Sequence, residues 1–377
     1  MRRQCCLLTG LLIAVLAACT PSGSGTAPAG AAPLGFAPAG AVTAPAPAAA
    51  QPAPAAAQPA PLSPPVAVRF GDLTATANAG YYIAQARGYF RDEGIDVTFE
   101  TFDTCDRAIP PLATNQLDVV GCGMNAAVLS AMGRGLPIKI VAGVSRNEPG
   151  FSSSALVVRK ELIDSGRVRD YPDLRGLRIA LLSLSSGLGS EYRRVLEKGG
   201  LTDDDVDLKL MPFPDAAVAL GNGGVDVAVS TEPFVARMVQ SGAAVRWKGA
   251  DEIYPDHQIT TILYGPDFYQ RQPEAAVRFL VAYIRGARDF RAFFKDGADR
   301  TPLYQILAEY TPIKDLSIYP AMQPSGIHPD AALNVQSVAA DQDLWASQGF
   351  VEQKADLATA VDLQYLQAAL RRLDGPR

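Results

Sequence analysis

The chain has 377 residues, of which 48% are hydrophobic and 19% are charged, as is typical of a folded protein with a substantial core. Its formal net charge is −5, from 39 acidic and 34 basic residues. Because binding to nucleic acid needs a clustered basic surface, and the sequence has no such cluster, we expect no nucleic-acid partner.

The first residues predict an exported protein. Two arginines precede an apolar run from Leu7 to Ala18, which is too short to span a hydrocarbon core of about 30 Å. The letters LAAC at 16–19 resemble the cleavage box of bacterial lipoproteins, which implies removal of residues 1–18 and lipidation of Cys19. The alternative is an ordinary signal peptide that happens to contain a cysteine. Since acyl chains contribute about 0.8 kcal/mol per buried CH₂, we expect a stable lipid anchor on the extracytoplasmic side of the cell membrane.

Residues 19–65 predict a lipid-anchored tether. They are rich in Ala, Pro and Gly, carry no charge, and lack the periodicity needed to bury one face of a helix or strand. At about 3.1 Å per residue in the polyproline form, this segment could hold a globular body roughly 100 Å from the membrane. The folded unit should therefore begin near Val66.

The folded unit contains few residues suited to metal binding. Its two cysteines are Cys105 and Cys122, and an extracytoplasmic setting permits a disulfide between them. Cys105 is predicted to open a helix and Cys122 to follow a strand, so the sequence leaves their pairing open. The two histidines, His257 and His328, do not form a cluster with ligand spacing, so we expect no zinc site.

Strand-like and helix-like segments alternate from Val66 onward. In chain order they are the strand VAVRFGDL, the helix AGYYIAQARGYFRDEG, the strand IDVTFETF, the helix DRAIPPLATNQ, the strand LDVVGC, the helix NAAVLSAMGRG and the strand PIKIVAGVS. The paired prolines suit the first turn of their helix. Strands separated by helices predict a parallel sheet covered on both faces, with ligand sites beyond the carboxyl ends of the strands.

A second series of the same kind follows the loop RNEPGFSSS. Its strands are ALVVRKEL, DLRGLRIALLS, DLKLMPFP, VDVAVS and AVRW, and its helices are GSEYRRVLEKGG, DAAVALGNGG and EPFVARMVQSG. The strand ITTILY at 259–264 then leads back to the first series, and the remainder is mostly helical. We therefore predict an α/β fold with two lobes of mostly parallel sheet, lobe 1 at 66–150 and 263–377 and lobe 2 at 151–262, with a groove between them.

Two similar phrases, LDVVGCGMNA at 117–126 and VDVAVSTEPF at 225–234, each bring a strand end and a helix start to this groove. The letters GCGMNA match the dinucleotide pattern G-x-G-x-x-A. They follow the third strand rather than the first, and the next strand does not end in an acidic residue. We therefore interpret the glycines as a tight turn with N–H groups facing the groove, and we expect no cofactor.

Two further motifs favour binding over catalysis. The stretch SLSSGLGS at 183–190 lacks the G-x-S-x-G pattern, and no motif places a histidine beside it. We expect Ser185, Ser186 and Gly187 to donate to a ligand, with a simple helix cap as the alternative. Glu232 follows a predicted buried strand, so it either accepts N–H groups from a ligand or stabilises a helix N-terminus by about 0.3–1 kcal/mol.

Four segments resemble the solute-binding proteins of ABC importers, in particular the branch that serves sulfonates, nitrate, thiamine pyrimidine precursors and riboflavin. They are AGYYIAQARGYFRDEGIDVTFE, ATNQLDVVGCGMNAAVLSAMGRGLPIKIVAG, DLRGLRIALLSLSSGLGSEYRRVLEKGGL and GGVDVAVSTEPFVARMVQSGA. The resemblance implies a type II periplasmic-binding-protein fold, whose two lobes are hinged by crossing segments and close on a small-molecule solute without chemical reaction. It also implies permease and ATPase partners, and we expect a monomer that is not an enzyme.

The same resemblance implies a set of ligand contacts. They are Asn78, Tyr81, Tyr82, Gly123, Met124 and Asn125 in the first lobe, and Ser185, Ser186, Gly187 and Glu232 in the second. The aromatic candidates for the groove are Phe151, Phe234, Tyr254 and Tyr264, in addition to the two tyrosines already named.

The candidate residues favour a flat heterocycle as the solute. A buried Glu232 would repel a sulfonate or nitrate, whereas aromatic faces, amides, hydroxyls and one carboxylate suit a ring with N–H groups. The letters ANAGYY also stand where many sulfonate and nitrate binders carry a proline. We therefore expect riboflavin, and next a thiamine pyrimidine precursor. The alternatives are a sulfonate- or nitrate-type anion, a solute sensor domain, and an enzyme of the pyrimidine-synthase type, which would need a cytoplasmic chain with a His/Cys-rich site.

We expect Cys19→Ala to move the protein from the membrane fraction to the soluble extracytoplasmic fraction, because the acyl chains would lose their attachment point. Fractionation followed by immunoblotting measures the distribution. A Cys19→Ala protein that still pellets with membranes would contradict the anchor.

Overall fold

The computed structural model of the protein describes residues 60–375. The expected signal peptide (1–18), Cys19 and residues 19–59 of the expected tether lie outside this range. Within residues 60–375, no helix is both long enough and apolar enough to cross a bilayer.

Five strands form the first sheet. They are β1 (Val66–Asp72), β2 (Ile95–Thr101), β3 (Val119–Gly123), β4 (Lys139–Arg146) and β10 (Gln258–Tyr264). Their order across the sheet is β2-β1-β3-β10-β4. Strand β1 pairs in parallel with β2 and β3, whereas β10 runs antiparallel to β3 and β4.

The second sheet repeats this arrangement. Its strands are β5 (Ser154–Arg159), β6 (Arg178–Leu181), β7 (Asp207–Leu210), β8 (Val227–Thr231) and β9 (Ala244–Gly249). Their order is β7-β6-β8-β5-β9, and β5 runs antiparallel to β8 and β9. Each sheet is thus parallel except for one strand, which enters from the other sheet. The mostly parallel α/β architecture predicted from the sequence is confirmed.

Helices flank both sheets. Those around the first four strands are α1 (Ala79–Ala86), α2 (Tyr89–Asp92), α3 (Cys105–Ala113) and α4 (Ala126–Gly133). Those of the second series are α5 (Lys160–Asp164), α6 (Gly187–Gly199), α7 (Phe213–Gly221), α8 (Phe234–Gln240) and α9 (Ala250–Ile253). After β10 come α10 (Pro266–Arg271), α11 (Pro273–Ala292), α12 (Thr301–Tyr310), α13 (Val335–Ser347), α14 (Leu357–Ala360) and α15 (Gln364–Asp374).

Two helices differ from the sequence-based expectation. The helix expected to run from Ala79 to Gly94 is interrupted at Gly88, whose φ of 74° lies in the left-handed region that favours glycine. Pro110 and Pro111 lie in the second half of α3 rather than in its first turn, because the helix already begins at Cys105.

A disulfide joins Cys105 to Cys122, a pairing that the sequence left open. The two Cα atoms are 5.7 Å apart, and 17 positions separate the residues in the chain. Both cysteines are buried. The bond ties the first turn of α3 to the penultimate residue of β3, the position directly before Gly123.

Helix α11 packs against α1 at the centre of the first core. Its apolar stripe, at the helical spacing of Val277, Leu280 and Ile284, is buried. A methyl group on Gly286 would overlap the carbonyl oxygen of Gly80 in α1, so only glycine permits this close approach of the two backbones.

We expect Gly286→Ala to lower the free energy of unfolding by about 1–3 kcal/mol, because the added methyl group forces α11 away from α1. Chemical denaturation monitored by circular dichroism measures the change. Gly221→Ala is the matched control, since Gly221 ends a helix and has open space around its Cα, and we expect it to be neutral or slightly stabilising. Equal stability of the two variants would contradict the proposed backbone contact.

Candidate functional site

Two crossing segments, 147–153 after β4 and 254–257 before β10, connect the sheets. They are hydrogen-bonded to each other. The backbone N–H of Asn147 donates to the carbonyl of His257 (3.0 Å), and the N–H of Asp256 donates to the carbonyl of Asn147 (2.8 Å). The two crossings therefore form one joint between the lobes.

A cleft with a cavity of about 280 Å³ lies between the carboxyl ends of the two sheets, next to this joint. Its lining combines loops that follow β1, β3, β6 and β8 with the start of α6. Most of the lining residues are apolar or neutral polar. Among the described residues that line the cleft, none is Lys or Arg, and Glu191 is the one carboxylate.

Five predicted site residues lie together in this cleft. They are Gly123, Met124, Asn125, Ser186 and Gly187. Gly123 ends β3 and the next two residues follow it, whereas the other two lie at the start of α6, so both lobes contribute to one lining.

The two loops also touch. The N–H of Ala126 donates to the carbonyl of Ser185 at 3.0 Å, and Asn125 forms an isolated antiparallel bridge with Ser186. Ser185 is therefore at the contact between the lobes, although it does not line the cavity. We call this backbone contact between residues 125–126 and 185–186 the rim contact.

The serine-rich loop leaves the N-terminus of α6 without a side-chain cap. Ser186 precedes the helix but its hydroxyl donates backwards, to the carbonyl of Ser183 (3.0 Å). A methyl group on Gly189 would overlap the carbonyl oxygen of Leu184, so the loop turns tightly onto the helix. The simple helix cap considered from the sequence is thus not formed, and Ser186 and Gly187 face the cleft.

Four predicted contacts lie in the first core instead of the cleft. Asn78 and Tyr82 both donate to the buried carboxylate of Asp72, at 2.7 Å and 2.8 Å. Tyr81 is fully buried, with its ring 4.5 Å from that of Phe70. Tyr264 is also fully buried and donates to the carbonyl of Ala276 (2.7 Å). Burial under the first sheet removes these four side chains from any ligand in the cleft.

Glu232 also lies outside the cleft lining. One carboxylate oxygen accepts from the N–H of Ala236 (2.9 Å) in the first turn of α8, and the other accepts from the N–H of Gln323 (3.0 Å). Because both oxygens are bonded within the protein, the helix-terminus role is the one that the structure supports. Burial raises the pKa of Glu232, and these two N–H donors and Arg246 oppose that shift.

The aromatic candidates do not line the cavity either. Phe234 begins α8 and stacks on Phe213 with ring centroids 5.3 Å apart. Tyr254 stacks on the His257 ring at 4.2 Å, within the second crossing segment. Phe151 packs edge-on against Phe294. The sequence overestimated the number of aromatic side chains available to a ligand.

Glu191, which we did not predict, is the carboxylate of the cleft. It lies in α6 and is 1% exposed. Its Oε1 accepts from Nδ2 of Asn147 and from the hydroxyl of Ser154, both at 3.0 Å. A sequence signal existed, since Glu191 shares helical spacing with Leu188 and Val195, which places an acidic residue on an apolar stripe.

His257 lies between the carboxylates of Glu191 and Asp341. Its Nε2 is 2.8 Å from Asp341 in α13, and its Nδ1 is 3.6 Å from Oε1 of Glu191 in α6. Burial alone would lower the pKa of His257, but these two carboxylates outweigh it and raise the pKa to about 9. The imidazolium therefore joins a helix of the second series to a helix from the C-terminal part of the chain.

Comparison with known proteins gives one family and several similar folds. A family model described as NMT1/THI5 like matches residues 75–292, more than half of the chain. The nitrate import ATP-binding protein NrtC of Synechococcus elongatus is 28% identical over 231 residues, or 58% of this chain and 34% of that protein. The chain thus spans about a third of the length of that relative.

Solved structures share the fold at low identity. The periplasmic aliphatic sulphonate binding protein SsuA from Escherichia coli has a TM-score of 0.63 and 18% identity, over 79% of this chain and 92% of that chain. The desulfurization enzyme DszB has a TM-score of 0.59 and 14% identity, over 82% and 99%. The two-lobed, type II binding-protein fold expected from the sequence is confirmed.

We expect the free energy of unfolding to fall as the pH rises from about 6.5 through about 9, because the folded protein binds the His257 proton more tightly than the unfolded chain does. Urea denaturation near pH 6 and near pH 9.5 measures the difference. His257→Gln should flatten this dependence, since Gln cannot carry the charge that faces Asp341 and Glu191. The same slope in both proteins would show that another group is responsible.

Proposed function

The chain belongs to the NMT1/THI5-like family, and from this premise we propose that it is the substrate-binding component of an ABC importer. It captures a small solute outside the cytoplasm and delivers it to a membrane permease with an ATPase partner. The cleft supports this role because both lobes contribute to its lining and two paired crossing segments connect them. Such a joint allows the lobes to open and close around a solute.

The lining favours binding without a reaction. Cys105, which contributes to it, is already bonded to Cys122 and so offers no thiol nucleophile. Ser186 uses its hydroxyl to hold the turn of its own loop, and the described lining contains no histidine that could activate a serine. We therefore propose that the protein is not an enzyme, although the desulfurization enzyme DszB has a similar fold.

The charge of the cleft lining is the observation that carries the choice of solute. Among the residues that the structure describes, the lining has one carboxylate, Glu191, and no Lys or Arg side chain. An anion would meet the buried carboxylate of Glu191 without a cationic side chain in the described lining, and the nearby imidazole of His257 already pairs with Asp341. We propose a small, neutral or cationic nitrogen heterocycle.

Size and shape favour a single ring over riboflavin. The cavity of about 280 Å³ lies just below the range of roughly 300–1,000 Å³ that is usual for ligand pockets. The tyrosines that would have stacked on a flavin are in the core instead. A thiamine pyrimidine precursor therefore fits this cleft better than riboflavin does.

A sulfonate or nitrate is the second candidate, and one observation favours it. The N-terminus of α6 lies at the cleft without a side-chain cap, and the N–H groups of a helix N-terminus bind anions. The negative charge of Glu191, one turn into the same helix, counts against this candidate.

We further propose that the protein is anchored by a lipid on Cys19 at the extracytoplasmic face of the membrane, with residues 19–65 as the tether. A monomer is sufficient for this role, since one chain supplies both sides of the cleft. The solute then passes from the tethered body to the permease without leaving the membrane surface.

Isothermal titration of the protein, after unfolding and refolding to remove any bound solute, tests the proposed class. We expect 4-amino-5-hydroxymethyl-2-methylpyrimidine to bind in the micromolar range or tighter, and riboflavin, isethionate and nitrate to bind at least about tenfold more weakly. Mass spectrometry of the solute released by unfolding identifies the natural ligand. Binding of isethionate or nitrate alone would support the second candidate, and turnover of any of the four compounds would overturn both.

A further inference from the structure

The two oxygens of the Glu191 carboxylate have different surroundings. Oε1 accepts two hydrogen bonds, from Asn147 and Ser154, and also faces the His257 ring. Oε2 is buried and has no hydrogen-bond partner among residues 60–375. A buried carboxylate oxygen that lacks a donor is costly, so a donor from outside the chain would be strongly favoured at this position.

The location of Glu191 indicates where that donor would come from. The residue lines the cleft together with Gly187 and Leu188 of the same helix, and with Ser154 at the start of β5. The opposite side of the cleft is formed by Gly123, Met124 and Asn125 of the first lobe. A solute held between the lobes would thus lie against the Glu191 side chain.

The carboxylate is fixed before a solute arrives. Asn147 belongs to the first crossing segment, and Ser154 to the strand that follows it, so both donors to Oε1 are attached to the joint. His257 belongs to the second crossing segment and is itself held by Asp341 at 2.8 Å.

We propose that Glu191 is the residue that selects the solute, by accepting an N–H hydrogen bond at Oε2, and that Asn147, Ser154 and His257 are its positioning residues. The proposal rests on the function proposed above and narrows the solute to molecules that present an amine or amino group to this carboxylate. Compounds of the same shape without such a donor should bind poorly, because Oε2 would stay buried and unpaired.

A pair of matched solutes measures this selection. The probes are 4-amino-5-hydroxymethyl-2-methylpyrimidine and 5-hydroxymethyl-2-methylpyrimidine, which lacks only the 4-amino group, with taurine and isethionate as a second pair that differ in an amine. In the pair that the wild-type protein binds, we expect the Kd of the aminated member to be roughly 10- to 100-fold lower than that of its partner. This comparison needs no variant, so it stands even if a substitution impairs folding.

The variant Glu191→Gln tests the residue. Gln keeps an oxygen that can accept from Asn147 and Ser154 but places an NH₂ group toward the solute, so the preference for the aminated probe should fall to roughly one. The matched control is Glu232→Gln, which neutralises another buried carboxylate, one that lies outside the cleft lining. We expect it to change stability while the preference stays near the wild-type value. Circular dichroism confirms that each variant is folded.

Each outcome distinguishes this inference from the proposed function. If the wild-type protein binds both members of a pair equally, or if Glu191→Gln keeps the wild-type preference, the solute-selecting role of Glu191 is wrong and the binding function stands. If Glu232→Gln abolishes the preference instead, the carboxylate expected from the sequence is the selecting one. If none of the four probes binds, both proposals are overturned.

Discussion

The arrangement of the molecule depends on Asn147, which belongs to one crossing segment and binds the other. Its backbone N–H and C=O both pair with residues of the second crossing, and it is 2% exposed. Its side-chain amide donates to Glu191 and lies near the carbonyls of Ala250 and Tyr254. Because one buried residue joins both crossings and the cleft carboxylate, the geometry of the joint and that of the cleft wall are set by the same hydrogen bonds.

Two buried carboxylates show how local bonding decides between structure and binding. Glu232 follows β8 and Glu191 lies in α6, and both are almost inaccessible to solvent. Both oxygens of Glu232 accept backbone N–H groups, whereas only one oxygen of Glu191 has donors in the part of the chain that the structure describes. The number of remaining acceptor sites, rather than burial or proximity to a strand end, makes Glu191 the candidate for recognition of a solute.

The sequence predicted the fold well because alternating strands and amphipathic helices follow from local periodicity. The segment 259–264 was expected to be a strand, and it forms most of β10. The sequence predicted less of the site. Tyr81 was expected at the cleft from the family resemblance and Tyr264 as an aromatic candidate. Aromatic rings also fill cores, and the packing of both rings against α11 separates the two uses. Glu191 was missed because its partners come from 37 and 44 positions away.

The rim contact joins the lobes through main-chain atoms, the N–H of Ala126 and the carbonyl of Ser185. Every amino acid except proline supplies the first group and every amino acid supplies the second. Substitutions in these loops can therefore alter the side chains that face a bound solute while the rim contact is preserved. Homologues that diverge in these loops can thus bind different solutes while the same backbone hydrogen bond joins their lobes.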